Sequence, residues 1–223
     1  MATIYASTQD GYVNASNADW ATARDATTGG GSNDSTTRAT IAMNASKSAV
    51  RGGGYIYRIS RVFMFFSTSG ITSNVASATL KIYGYSQNTA NVIAVKATSD
   101  IGTVTTADYD AITGWSTGSA DGEGTGDNES NVTKYSNELT SWNASGYNDF
   151  TLTGAALARM RDEGYIYICI METVHDLRDI EPTGTSYNGC YFANYTGTSR
   201  DPYIDYELAT VATDNAVFFG CNF

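Results

Sequence analysis

The last regular segment of the chain strongly constrains its fold. Pro202 opens the segment Tyr203–Leu208, in which the apolar side chains of Ile204, Tyr206 and Leu208 alternate with acidic ones. Proline fixes its own φ and has no N–H to donate, so it suits the first residue of a strand but not the middle. Strict alternation predicts a strand with one face buried. The segment therefore indicates the closing strand of an all-β domain.

Other segments repeat this pattern or extend it to both faces. Residues 61–66 and 165–171 are apolar at nearly every position, which is typical of strands buried on both sides. Residues 77–85 alternate, and residues 91–97 are predicted to form a neighbouring strand. Phe150 and Leu152 are expected to point inward. Clusters of Ser, Thr, Asn and Gly separate these segments, as expected of turns and loops.

A single short helix is predicted at about residues 153–163. Thr153 suits the N-cap position, Leu157 and Met160 share one face, and Gly164 suits the C-terminal end. The sequence thus predicts an all-β, single-domain antiparallel β-sandwich of jelly-roll type carrying one helix. Its 223 residues suit one such domain. We expect the sandwich to span residues 1–208 and an apolar interaction tail to span residues 209–223.

The charge and the apolar pattern exclude several classes of function. The chain has 13 Lys and Arg against 23 Asp and Glu, a net charge of −10. Such a chain repels phosphate backbones and anionic lipid surfaces. No apolar run reaches the length of a membrane span. We therefore expect neither nucleic acid nor a membrane as a partner. The three cysteines lack zinc-ligand spacing, and Cys169 is predicted to be a small buried hydrophobe.

Four motifs follow one another along the chain, namely DGYV, RVFMFF followed by SATLKIY, DFTLTGAALARMRDEGYIYICIM, and the closing SRDPYIDYEL. Their order resembles that of the DNRLRE family of disaggregatase-related, carbohydrate-binding-like domains, and the resemblance spans roughly residues 5–208. This resemblance implies a jelly roll that recognises glycan or supports assembly and performs no chemistry. The loops at residues 27–33, 51–57 and 121–131 are longer and richer in Gly than the family pattern. Binding residues are therefore not transferred into them.

Candidates for catalysis are few, and we expect no enzymatic activity. His175, the only histidine, lies beside acidic residues and would suit a general base, but no nucleophile stands at a recognisable spacing. A loop histidine with a local hydrogen bond is the alternative. The acidic pairs Asp108/Asp110 and Asp176/Asp179 would suit glycoside hydrolysis, which needs two carboxyl groups across a cleft. In so acidic a chain we expect them to be solvated surface residues instead.

A calcium site is predicted in the acidic, glycine-rich segment 121–129. Its oxygen-bearing side chains recur at close intervals, and its glycines allow the chain to curve around a hard cation. The predicted ligands are Asp121, Glu123, Asp127 and Glu129. A flexible acidic hairpin tip is the alternative interpretation. Asp10, at the start of DGYV, is a further candidate ligand.

Aromatic side chains carry the binding hypothesis. Trp20, Trp115 and Trp142 all lie in polar, loop-like segments. Flat rings present large contact areas with little loss of rotamer freedom, so an exposed Trp suits a sugar face or a partner protein. We predict these three residues as the glycan- or partner-binding set. In the alternative, each one plugs an end of the sandwich.

The C-terminal segment is strongly apolar. Its predicted assembly residues are Val217, Phe218, Phe219 and Phe223. A free terminus of this kind would expose an apolar area that monomers seldom tolerate. The tail is therefore expected either to pack on its own sheet or to insert into a neighbouring subunit. The second possibility predicts a homo-oligomer or a complex with another protein.

These observations lead to one functional hypothesis and one alternative. The chain begins without a signal-peptide core, whereas the family it resembles is largely extracellular. A virion structural protein reconciles the two, because it is made in the host cytoplasm and released by lysis. We therefore predict a non-enzymatic capsid-decoration or tail-associated protein that adheres to glycans. Its expected partners are copies of itself or other virion proteins. The alternative is an extracellular glycan-binding module of a cell-surface or secreted polysaccharide-degrading system.

Overall fold

The computed structural model describes residues 1–98, 102–116 and 128–210, and β-strands dominate this part of the chain. The strands are β1 Ala2–Tyr5, β2 Gly11–Asn17, β3 Gly31–Asn33, β4 Arg38–Ala49, β5 Tyr55–Ser67, β6 Val75–Asn88, β7 Val92–Lys96, β8 Tyr147–Thr151, β9 Tyr165–Glu172, β10 Thr185–Tyr191 and β11 Tyr203–Leu208. The helical segments are α1 Trp20–Arg24, a 3₁₀ turn at Thr106–Asp108, α2 Gly154–Asp162 and a π-helical turn at Thr173–Leu177. All strand pairs are antiparallel. The prediction of an all-β sandwich is confirmed.

The long strand β6 connects the two layers of the sandwich. Its first part pairs with β11 and β8, and β1 lies on the far side of β11. Its last part pairs with β10, which continues through β4, β5 and β2 to β3. Beyond its contact with β4, strand β5 pairs with β9, which in turn pairs with β7. The two layers therefore share one continuous hydrogen-bonded network.

The central strands are buried on both faces, as the sequence predicts. On β5, Val62 and Met64 belong to the apolar cluster between the two layers. Ile59 and Phe63 point the other way, into a second cluster that includes Ala23 of α1. Both faces of β9 are buried in the same manner, and Cys169 lies in the second cluster as a free thiol. A covering of short helical and loop segments thus explains why these strands lack a polar face.

Helix α2 confirms the predicted helix, with a different cap. Thr153 has the extended backbone of an N-cap residue, but its hydroxyl donates to the Lys134 carbonyl at 2.9 Å. Ala156 and Met160 form the fully buried face. Gly164 follows the helix with a φ of 71°, a conformation that favours glycine. The five-residue α1 is an additional helix that the sequence patterns did not predict.

The predicted closing strand coincides with β11, but one of its residues points elsewhere. Ile204 is fully buried, whereas Leu208 is 46% exposed. The register with β6 shifts between Glu207 and Leu208, and this irregularity ends the alternation. The prediction that Leu208 faces inward is therefore wrong. Strand β11 lies between β1 and β6, so β1 forms that edge of the described sheet.

Candidate functional site

One face of β5 changes from apolar to polar along the strand, and a groove lies over the polar part. Towards its C-terminal end, this face places Val62, Met64 and Phe66 in the core. Towards its N-terminal end, the same face carries Arg58 and Ser60, which line the groove. This change follows directly from the two-residue period of a strand. The groove therefore begins where the apolar core ends.

Strand register aligns the groove residues in two rows. In the first row, Asn14 of β2 pairs with Ser60, which pairs with Asn44 of β4. In the second row, Ser16 pairs with Arg58, Arg58 with Ser46, and Ser46 with Thr185 of β10. The groove has a volume of about 590 Å³, and its described lining is Tyr12, Asn14, Ala15, Ser16, Ile41, Asn44, Ser46, Ser48, Arg58, Ser60 and Thr185. Hydroxyl and amide groups dominate this lining.

Asn44 has an unused acceptor in the lining of the groove. It is 3% exposed, and its Nδ2 donates to the Arg58 carbonyl at 2.9 Å. Its Oδ1 has no hydrogen-bond partner among the described residues. A buried acceptor without a donor costs about 1 to 3 kcal/mol. A ligand hydroxyl that donates to this oxygen would remove that cost.

Arg58 is the only charged residue in the described lining. Its side chain is exposed and forms no ion pair with a carboxylate of the described residues. The rest of the lining is neutral, although the chain as a whole has a net charge of −10. The groove is thus a locally positive, hydrogen-bonding surface. Its chemistry suits a polyhydroxylated ligand that carries an acidic group.

A buried ionic cluster holds the second apolar layer together. Arg61 and Asp176 are both fully buried, and the guanidinium binds both carboxylate oxygens at 2.7 and 2.8 Å. Burial opposes the charge of Arg61, but the Asp176 carboxylate, together with Tyr109 and Cys169, raises the pKa of this arginine. Arg61 also donates to the Tyr109 carbonyl at 2.8 Å. The pair is therefore fully engaged in tertiary contacts.

Arg24 extends the same cluster from α1. Its Nε donates to the Asp176 carbonyl at 2.7 Å and its Nη1 to Asp25 at 2.7 Å. The Trp115 ring lies 4.8 Å from the Arg24 guanidinium and 4.1 Å from that of Arg61. These contacts with the Trp115 ring stabilise both cations. The sequence patterns did not identify either arginine as buried.

The acidic pair Asp176/Asp179 has structural contacts, and the expectation that it is solvated is wrong. Asp176 binds Arg61, as described above. Asp179 accepts a hydrogen bond from the Trp20 indole at 2.9 Å and lies 3.5 Å from Arg24. The residues of the other pair, Asp108 and Asp110, are partly exposed, and Asp108 accepts a hydrogen bond from the N–H of Thr105.

His175 forms the local hydrogen bond that the alternative interpretation expects. Its Nδ1 lies 2.7 Å from the Ile180 carbonyl. Its backbone N–H donates to the buried Glu172 at 2.6 Å. Burial raises the pKa of Glu172, although the N–H groups of His175 and Asp176 act in the opposite direction. Nothing in the sequence pattern distinguishes Glu172 from other acidic residues at the ends of strands.

The predicted tryptophan set is dispersed and mostly enclosed. Trp20 is 8% exposed and packs edge-on against Tyr57 with ring centroids 5.8 Å apart. Trp142 is also 8% exposed and packs against Phe150. Trp115 is half-buried and contacts the guanidiniums of Arg24 and Arg61. These positions resemble the plugs of the alternative interpretation, and a binding role for the three remains a prediction.

Most of the predicted metal and assembly residues lie outside the described residues. These are Asp121, Glu123, Asp127, Val217, Phe218, Phe219 and Phe223. Glu129 is described and binds Arg178 at 2.9 Å and Lys134 at 3.2 Å. Hydrogen bonds from these two cations lower its pKa to about 2. Within the described ranges, no group of three or more His, Cys, Asp or Glu residues is placed to hold a metal ion.

Asp10, the other candidate ligand, is buried at the start of β2. Its Oδ2 accepts the Ala193 N–H at 2.9 Å, and its Oδ1 has no partner in the described part of the chain. Burial raises the pKa of Asp10 to about 7, and the nearby charge of Asp201 contributes in the same direction. This pair of carboxyl groups is the second notable polar feature of the interior.

Comparison with known proteins leaves the family resemblance as an interpretation of the motifs. No protein-family model matches the chain. No curated protein matches it either. The described residues contain no helix that is long and apolar enough to cross a membrane.

Proposed function

We propose that this chain is a non-enzymatic β-sandwich that binds glycan in the groove over β2, β5 and β4. The observation that carries the proposal is the pair of cross-strand rows, in which hydroxyl and amide side chains surround the single charge of Arg58. Sugars bind proteins mainly through networks of hydrogen bonds to such groups. The rows lie on a rigid sheet, so little order has to be created when a ligand binds.

The composition of the groove favours binding over hydrolysis. Glycoside hydrolysis usually needs two carboxyl groups that flank the scissile bond. The described lining of the groove contains no Asp or Glu. Arg58 instead suits a carboxylate or sulfate substituent on the sugar.

We further propose that the protein performs this role on a virion, as a capsid-decoration or tail-associated component. Apolar side chains exposed near the β1 edge support an assembly role, since Met1 is 86% exposed and lies beside Leu208 in one shallow surface. The alternative is a glycan-binding module of a cell-surface or secreted polysaccharide-degrading system. Neighbouring genes for capsid, portal or tail proteins would favour the virion, and genes for carbohydrate enzymes would favour the alternative.

Substitution of Arg58 tests the binding site. Calorimetric titration with matched neutral, uronate-containing and sulfated oligosaccharides should show binding to at least one acidic member. Arg58→Ala should weaken it about 10- to 100-fold, because a hydrogen bond to a charged group contributes about 1.5 to 3 kcal/mol. Arg51→Ala, at another exposed arginine, should bind like the native protein.

Two results would contradict the proposal. If Arg58→Ala and Asn44→Ala both bind an acidic oligosaccharide as tightly as the native chain, the groove is not the site. If the native protein releases new reducing ends or unsaturated products from its ligand, the non-enzymatic assignment fails. Recovery of the intact oligosaccharide after prolonged incubation supports it.

A further inference from the structure

Most of the cationic side chains are neutralised by nearby carboxylates. Eight of the 13 form ion pairs, namely Arg24, Lys47, Arg61, Lys81, Lys134, Arg159, Arg161 and Arg178. The other five, Arg38, Arg51, Arg58, Lys96 and Arg200, have no ion pair with a carboxylate of the described residues. In so acidic a protein, an arginine without such a partner is notable. Two of these five meet at one point.

Arg38 and Arg200 converge on the hydroxyl of Tyr191. Nη1 of Arg38 lies 3.4 Å from this hydroxyl oxygen, and Nη1 of Arg200 donates to the same oxygen. Tyr191 ends β10 and is only 4% exposed, so the shared acceptor is fixed in the sheet. Two guanidinium groups from distant parts of the chain are thus held side by side.

Aromatic rings fix the orientation of both guanidiniums. Arg38 lies over Tyr85 at 4.6 Å from the ring centroid. Arg200 lies over Tyr191 at 4.7 Å and Tyr195 at 5.3 Å. Edge-to-face contacts of 5.1 to 5.5 Å connect Tyr191 to both of the other rings. The rings position the arginines but do not neutralise them.

Without a bound anion, the two guanidinium charges have no neutralising carboxylate among the described residues. Two like charges repel, and the tyrosine hydroxyl that they share is neutral. A guanidinium presents N–H donors in a planar fork, and two forks side by side match the several oxygens of a tetrahedral or planar oxyanion. Arg38 is exposed, so an anion has access from solvent.

We propose that Arg38, Arg200 and Tyr191 form a binding site for an oxyanion group, such as sulfate, phosphate or carboxylate. None of the three lines the groove over β2, β5 and β4. The site is therefore separate from the proposed glycan groove, and neither proposal depends on the other.

Titration with inorganic ions provides the first test. Sulfate and phosphate should bind saturably by calorimetry, with chloride at the same ionic strength as the reference. Arg38→Gln and Arg200→Gln should each weaken binding at least 10-fold, and the double substitution should abolish it. Arg51→Gln, at an exposed arginine outside both proposed sites, is the matched control and should retain native affinity. Sulfate and phosphate esters of a simple sugar, titrated in parallel, distinguish a free ion from a group carried on a larger ligand.

Thermal unfolding provides the second test and guards against a misfolded variant. Sulfate stabilises proteins in general. The informative quantity is therefore the rise in melting temperature of the native protein with sulfate, beyond the rise of the double Gln variant. Should the double Gln variant fail to fold, Arg38→Lys combined with Arg200→Lys decides, because it keeps both charges and loses both forks. Weakened binding by the Lys variant supports the site. Native affinity in either folded double variant, or no saturable binding by the native protein, overturns the proposal.

Discussion

At the scale of single residues, the interior accommodates ionisable groups in two ways, by ion pairing and by protonation. Arg61 and Asp176 neutralise each other through two hydrogen bonds. Asp10 lacks such a cation, and it is buried near a second carboxyl group, that of Asp201. An uncompensated carboxylate in the interior is costly, so the protein lowers the cost by keeping Asp10 largely protonated below neutral pH. The two sites should therefore differ in their response to pH.

We predict that Asp10→Asn removes a pH-dependent destabilisation. Its folded-state pKa of about 7 exceeds the ordinary value of 3.8, so the unfolded chain loses its proton first as the pH rises. The free energy of unfolding of the native protein should therefore fall as the pH rises from about 4 to 7. The contribution of Asp10 to this fall is at most about 1.4 kcal/mol per pH unit. Above pH 8 the contribution is constant.

Urea unfolding at pH 5, 6, 7 and 8 measures this effect. The Asp10→Asn variant retains an acceptor for the Ala193 N–H and should gain stability over the native protein as the pH rises from 5 to 7. Asp110→Asn, at a partly exposed residue, should show the native pH profile. Parallel profiles for native and Asp10→Asn protein would refute the assignment.

Burial of these charges is the part of the structure that the sequence did not reveal. Arg61 stands at the start of an apolar run, where a pattern cannot show whether the side chain enters the core or flanks it. Its position depends on Asp176, which is 115 residues further along the chain. Likewise, an Asp before a Gly, as at Asp10 and Gly11, is typical of a turn. Both outcomes depend on tertiary partners, which no local pattern contains.

At the scale of elements, local patterns predicted well where a period is long enough to repeat. Strand β11 and helix α2 agree with their predicted segments because alternation and capping are local properties. The five-residue α1 is too short to show a period and depends on contacts such as that of Trp20 with Tyr57. The groove was missed for another reason. Each polar row looks like an ordinary exposed face until the registers of β2, β5 and β4 bring it together.

The crossing of β6 from one layer to the other gives an element-scale prediction. A Cβ at Gly84 would lie 2.0 Å from the Asn143 carbonyl oxygen, a backbone atom that cannot rotate away. We expect Gly84→Ala to lower the free energy of unfolding by about 1 to 3 kcal/mol, the usual cost of overpacking. At Gly70 a Cβ meets no atom within 4 Å. Urea unfolding of Gly70→Ala is the control. If the two substitutions change the free energy of unfolding equally, the loop at Asn143 moves easily to accommodate the added methyl group.

At the scale of the whole molecule, two apolar clusters divide the roles of the sheet. One cluster joins the two layers, and the other joins the sheet to its cover of helices and loops. The groove lies where the first cluster stops at Val62 and β5 continues beyond it. A binding surface on such a doubly anchored strand is expected to be preorganised. The ionic cluster of Arg24, Arg61 and Asp176 further stabilises this strand from the face opposite the groove.

The hydrogen bonds that close the sandwich are complete before the C-terminal segment begins. Strand β11 is paired on both sides, and the Ala209 N–H donates to the Asn74 carbonyl at 2.7 Å. A chain that ends at Thr210 retains all of these bonds. We therefore expect deletion of residues 211–223 to leave the sandwich folded, with a melting temperature close to that of the full chain.

The same deletion should abolish self-association. Burial of each Phe side chain in this segment stabilises an interface by about 1.5 to 3 kcal/mol, and the exposed Met1 and Leu208 offer an apolar surface near its start. Light scattering should find an oligomer for the full chain and a monomer for the deletion. Replacing Val217, Phe218, Phe219 and Phe223 by Ser at full length is the matched control and should also give a monomer. A full-length chain that stays monomeric at high concentration, together with an unfolded deletion variant, would show instead that the segment belongs to the core of its own subunit.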